Sequence, residues 1–134
     1  MPRIWLGRCY GGWNMVKYIP KQGDIIELDS TKGHEQKGHR PAIVISSFVF
    51  NSFTNMAIVC PITSNTKEFP THYNLKETKK INGSVLCEHL KSIDYNARKI
   101  KFIEESSDND FLNVYFLLIS CFEEKEFIKN AIQI

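Results

Sequence analysis

The chain reads as mainly β with helices: a small, strongly bent sheet or barrel with helical cover. Three observations predict it. Five or six short runs rich in Ile, Val and Phe alternate with turns rich in Gly, Asn and Lys along residues 23–104. After Ser106 the apolar spacing switches to a helical period. The 134 residues are 43% hydrophobic and 24% charged, which suits one domain with a sizeable core.

Residues 1–14, MPRIWLGRCYGGWN, do not make a secretory signal. Arg8, Gly11 and Gly12 break the apolar stretch that one needs. This segment is read as a leader or appended piece outside the fold, with a single domain over 15–134. In GDIIELDS, Ile26 and Leu28 alternate with Glu27 and Asp29, a strand led by a Gly-Asp turn. A loop over 30–40 follows, broken at Gly33 and Gly38. Pro41 is expected at the entrance of the buried strand AIVIS, residues 42–46. Residues 47–55 read as a polar and aromatic loop. MAIVCPIT, residues 56–63, reads as a buried strand bent near Pro61.

Residues 64–70 read as a loop, 71–75 as a short strand and 76–83 as a basic turn. Strands are expected at the start of 84–94 and over 97–104. From Ser106 or Ser107 as cap, with Asp108 and Asp110 in the first turn, a helix is predicted over 106–124. Phe111, Tyr115, Leu118 and Phe122 form its face, widened by Leu112, Ile119 and Cys121. The tail EKEFIKNAIQI can extend it. This surplus of apolar residues exceeds what one side of a small barrel needs and suits a dimer interface.

Charge and cysteines narrow the classes. A net charge of +2 permits a nucleic-acid partner without demanding one. Cys9, Cys60, Cys87 and Cys121 lie apart, without the spacing of a zinc site, and read as buried thiols of a reducing cytosol. No stretch approaches the ~18 apolar residues of a membrane span. P-loop, dinucleotide-binding, zincin and serine-hydrolase motifs are all missing, so no cofactor is expected.

The chemistry that remains lies in KGHEQKGHRPAIVIS and at one strand end. Arg40, fixed by the strand that Pro41 opens, can fork onto a phosphate with two hydrogen bonds. Thr63 can donate to a phosphoryl oxygen. His34, Glu35 and His39 can move protons, while Lys32 and Lys37 add positive charge. Such a set suits attack on a phosphodiester by the neighbouring ribose 2′-hydroxyl, which needs a base, an acid and a charge clamp. Each residue also has a plain alternative. The loop can be merely solvated, Arg40 a structural ion-pair partner, and Thr63 a loop cap. Phe48, Phe50 and Phe53 can stack on bases or simply fill core. His72 and His89 lie outside the loop and are weak candidates.

GDIIELD, KGHEQKGHRPAIVIS, CPITSN and VLCEHLKSID, in this order, resemble the MazF/PemK family of toxin endoribonucleases over roughly 18–122. Met15 falls where such toxins usually begin. The resemblance implies a small SH3-like β-barrel of the CcdB/PemK kind with a C-terminal helix. It implies a homodimer in the bacterial cytoplasm that cuts single-stranded messenger RNA at a short sequence, leaving 2′,3′-cyclic phosphate and 5′-hydroxyl ends. It further implies a cognate antitoxin that covers the RNA site. Matched position by position, Arg40 and Thr63 are the catalytic pair. Glu35 and Gln36 match positions that contact or help to process RNA in relatives, and His39 matches one that varies among them; the chemistry of the loop itself makes Glu35 the candidate base and Gln36, His34, His39 and Lys37 the candidate RNA contacts. His34 stands where many relatives have serine, and His89 where glutamine is common. Two rival functions remain: a gyrase poison of the same fold, which would need neither Arg40 nor Thr63, and a plain SH3-like binding module.

Overall fold

The computed structural model describes residues 17–29 and 39–132. The expectations for 1–14 and most of the 30–40 loop therefore lie outside the described residues. Seven strands follow in chain order: β1 (Asp24–Asp29), β2 (His39–Val44), β3 (Met56–Thr63), β4 (His72–Asn74), β5 (Ser84–Leu86), β6 (Lys91–Asp94) and β7 (Ile100–Glu105). Helix α1 (Phe48–Thr54) joins β2 to β3, and a 3-10 turn (Cys87–His89) joins β5 to β6. Helices α2 (Asp108–Ser120) and α3 (Glu126–Ile132) close the described chain.

All pairings are antiparallel, in the order β4-β5-β3-β2-β1-β7, with β6 also on β3. Among the described residues β6 and β7 do not pair, so the sheet does not close into the barrel that the resemblance implied. The predicted mainly-β class with a bent sheet and helical cover is what the chain adopts. A register shift between Ile25 and Ile26 on the β1–β7 ladder adds local twist to the bend.

Strand alternation sends side chains into two cores. Ile25, Ile43, Cys60, Ile62, Val85 and Cys87 pack on one face against Val114 and Leu118 of α2. Ile26, Leu28, Ala42, Val44, Ala57, Val59, Ile93 and Tyr95 fill the other. Burying each Val, Ile or Leu side chain contributes about 1.5–3 kcal/mol, which makes this double-sided β1–β2–β3 unit the anchor of the fold.

The two strand prolines sit where an N–H is not needed. Ile45 N–H donates to Ile58 O on the β3 side, so Ile43 and Pro41 turn their backbone groups that way as well. The β2–β3 ladder ends at Ala42, and the missing N–H of Pro41 costs no ladder bond there. Pro61 falls where β3 leaves β6, last paired at Val59, and joins β5 at Ile62. The predicted bend at Pro61 is thus a change of partner.

Several expectations need correction. Residues 47–55 are not a loop. Ser47 accepts from Phe50 N–H at 3.1 Å as N-cap, and Asn55, at φ 61°, terminates α1 in the left-handed region. No apolar stripe announces this helix. Its inward residue is polar Asn51, fully buried, donating to Pro20 O at 2.8 Å while its own carbonyl accepts from Tyr95 at 2.6 Å. The 30–40 loop ends sooner than expected, since His39 and Arg40 already pair with Asp29 and Leu28. In α2 the Ser107 cap holds, accepting from Asp110 N–H at 2.9 Å. The face is rotated, however: Asp110, Val114 and Leu118 point inward, and Phe122 is 68% exposed. The buried carboxylate of Asp110 sets this rotation by taking the Tyr73 hydroxyl and two loop N–H groups. The tail forms a separate helix, α3.

Candidate active site

Strand β2 delivers Arg40 and strand β3 delivers Thr63. The ladder pairs Ala42 with Pro61, Ile43 with Cys60 and Val44 with Val59. Carried two residues further, this register places Arg40 opposite Thr63. Both residues share the face of Ala42, Val44 and Val59, so both stand at the end of the second core. Arg40 is exposed and lies across from Leu28. Thr63 is half-buried, and its hydroxyl oxygen accepts from Asn65 N–H at 3.2 Å, which fixes its rotamer while leaving its proton to donate.

The backbone behind Thr63 is held closely. Gly83 precedes the Thr63–Ser84 pair. A methyl group at Gly83 would collide with the Thr63 carbonyl oxygen and lie 2.9 Å from Ile62 Cγ2. Only glycine permits that approach.

Two further cations belong to this end, and sequence reasoning missed both. Lys91 lies opposite Val59 and shares the face of Ile93. Burial, and then the charges of Arg98 and Arg40, hold its ammonium below the usual lysine range. Arg98 lies in the turn before β7, with its buried Nε lacking a hydrogen-bond partner among the described residues. The signal was present in KSIDYNAR: Lys91 keeps step with buried Ile93, and the turn brings Arg98 back beside it. Arg40, Lys91 and Arg98 thus form one positive mouth, suited to a polyanion.

Beyond β5 the face continues as a polar row. Ser84 donates to the Asn74 side chain. One pleat away, His72 Nε2 lies 2.8 Å from Glu88 Oε2, and Thr71 donates to Glu88 Oε1 at 2.6 Å. His89 Nε2 stands 3.8 Å from the same carboxylate. Burial pushes the Glu88 carboxyl up, but the bonds from Thr71 and His72, and the His72 charge, outweigh it and pull it down to about 2. The Phe69 ring lies 4.9 Å from His72, and Phe69, His72, Tyr73, Asn74 and Lys76 line an open cleft of about 520 Å³. His72 and His89, weak candidates by sequence, therefore meet at one carboxylate.

Of the expected site residues, Arg40 and Thr63 lie at the ends of neighbouring strands on one face of the sheet. His39 lies in β2 opposite Asp29, with its side chain outside the described set. His34, Glu35, Gln36 and Lys37 also lie outside the described residues. Phe48 is half-buried on α1, while Phe50 and Phe53 are exposed there. Among the described residues no group of three His, Cys, Asp or Glu side chains could hold a metal ion. None of their helices is long and apolar enough to cross a membrane.

The chain is 40% identical over 84 residues to the endoribonuclease toxin MazF of Escherichia coli K12, covering 61% of this chain and 75% of that protein. It is 30% identical over 105 residues to the endoribonuclease PemK of Escherichia coli, covering 69% and 78% respectively. The fold matches crystal structures from Deinococcus radiodurans. MazF superposes with a TM-score of 0.69 at 33% identity, over 78% of this chain and 97% of that one. A MazE–MazF structure gives a TM-score of 0.72 at 28% identity, over 81% and 100%. The model of the PemK-like, MazF-like toxins of type II toxin–antitoxin systems matches residues 21–122, and the chain belongs to that family.

Proposed function

We propose that this protein is an endoribonuclease toxin that cuts single-stranded messenger RNA at a short sequence and so arrests growth. The observation that carries the reading is Arg40, close enough to Lys91 and Arg98 for their charges to act on one another, on the face that Thr63 shares by the β2–β3 register carried past its last pair. Relatives at 40% and 30% identity bear the name endoribonuclease, which supports it.

In the proposed reaction, the ribose 2′-oxygen attacks the adjacent phosphorus. Glu35 takes the 2′ proton. The bond from phosphorus to the 5′-oxygen breaks, and an imidazolium of His34 or His39 protonates that leaving oxygen. The products carry a 2′,3′-cyclic phosphate and a 5′-hydroxyl. The developing phosphorane charge meets the Arg40 guanidinium, an unsuitable proton donor but a strong clamp, and the Thr63 hydroxyl. Gln36 and Lys37 hold the strand through the loop. No metal enters this scheme, because the nucleophile is internal to the substrate and the charge clamp is a guanidinium.

A cognate antitoxin is proposed as partner. It would cover the positive mouth with an acidic segment, in keeping with the MazE–MazF complexes among the structural neighbours. A homodimer is proposed as the working unit. Leu112, Phe116 and Phe122 of α2 and its C-terminal end stay exposed, Phe116 by 62%, and such a surface calls for a cover. The site of action would be the bacterial cytoplasm.

The test is incubation of purified protein with a long RNA in EDTA, followed by end-group analysis. Fragments cut at a repeated short motif, ending in cyclic phosphate, are expected. A substrate with one 2′-deoxyribose before the cut should resist. Inhibited gyrase supercoiling with intact RNA would instead establish the gyrase-poison reading.

A further inference from the structure

Cys60 and Cys87 lie in the first core at 0% and 3% exposure. The β3–β5 ladder pairs Thr63 with Ser84 and Ile62 with Val85. Run back two residues, the same register sets Cys60 across from Cys87. Backbone direction defines what kind of pair this is. Cys87 N–H donates to Thr71 O at 3.1 Å, away from β3. Ile58 O accepts from Ile45 on the β2 side, so Cys60, two residues on, also turns its backbone away from β5. Neither cysteine spends its backbone on the other. Such non-hydrogen-bonded pairs hold α-carbons about 4.5 Å apart with side chains at their closest. Disulfides span α-carbon separations of about 4.4–6.8 Å.

We propose that Cys60 and Cys87 form a cross-strand dithiol that a peroxide oxidises to a disulfide, a covalent staple three residues behind Thr63. The site is independent of the RNA-cleavage reading. The two facing thiols perturb each other: Cys60 holds the Cys87 thiol below its ordinary range, while Cys87, and then burial, push the Cys60 thiol up. Cys87, the slightly more accessible of the two, is therefore the nucleophile. Its thiolate attacks one peroxide oxygen, the O–O bond breaks, and a sulfenic acid forms as hydroxide leaves and is protonated to water. Cys60 sulfur then attacks the Cys87 sulfur, the S–O bond breaks, and the Cys60 proton leaves with that oxygen as a second water. Two thiols are oxidised and one peroxide is reduced. The closed bridge would tie β3 to the 3-10 turn that carries Glu88 and His89.

The test uses the full chain carrying Cys9→Ser and Cys121→Ser, with the wild-type chain in parallel as a folding safeguard. Both are treated with hydrogen peroxide. Intact mass should fall by two hydrogen atoms in the double variant, and digestion of either protein should yield a peptide pair joining Cys60 to Cys87 that dithiothreitol separates. The oxidised form should melt at a higher temperature than the reduced one. With Cys60→Ala added, Cys87 should instead be trapped by a sulfenic-acid reagent. A gain of oxygen at Cys87 without the linked peptides, or two thiols that still alkylate fully after unfolding, would overturn the proposal.

Discussion

Tyr73 of β4 donates its hydroxyl proton to the Asp110 carboxylate of α2 across 2.7 Å. The same carboxylate accepts from Lys76 N–H at 3.2 Å and from Glu77 N–H at 2.9 Å, and it is wholly buried. Burial, and then this bond to Asp110, push the Tyr73 phenol far above its usual range. One side chain thus fastens the helix, the β4 strand and the basic 76–83 turn. Asp110→Ala would leave three donors without an acceptor. It should lower unfolding stability by about 3 kcal/mol, and Tyr73→Phe by about 1.5 kcal/mol, as losses of hydrogen bonds to a buried charge. Urea unfolding of both variants checks the order of the two effects.

Glu88 makes acid unfolding informative. Its carboxyl, ordinarily near 4.5, is held at about 2 in the fold. A depressed carboxyl contributes stability that is fully present above 4.5 and lost as pH falls through 2. In Glu88→Gln that contribution is absent at neutral pH. Thermal melts of wild type and variant should therefore differ at pH 7 and converge between about pH 4.5 and 2. Equal separation at pH 7 and pH 2 would show that the fold does not depress the Glu88 carboxyl.

Lys91 and Arg98 should bind the RNA backbone without reading its sequence. Lys91→Ala and Arg98→Ala should each weaken binding to unrelated single strands alike. Each should also reduce the slope of log K against log salt by about 0.7 for one lost phosphate contact. Binding to an RNA that is not cut, measured across a salt series, gives both numbers.

The parts of the fold legible in the sequence were those in which burial follows a simple period. Ile25 through Leu28 and Ala42 through Val44 announce strands because each face feeds its own core. α1 was hidden because its inward residues are Asn51 and Ser52, whose hydrogen bonds run to partners far along the chain or within the turn. The rotation of α2 was hidden for the same reason. A buried Asp110, paired with Tyr73 thirty-seven residues away, outweighs the outward Tyr115 and Phe122. In the site, Arg40 and Thr63 stood out because each ends a readable strand. Lys91 and Arg98 did not, since only the β3–β6 ladder and the following turn bring them to Arg40.

Under the proposed mechanism Arg40 clamps the phosphate being cleaved. The cleavage rate of Arg40→Ala on a long RNA, compared with wild type at equal thermal stability, tests it most directly. Loss of one preorganised donor costs about 10²–10³ in rate, so the variant should cut at least a hundredfold more slowly. Cleavage by Arg40→Ala at the wild-type rate would show that Arg40 does not clamp the phosphate.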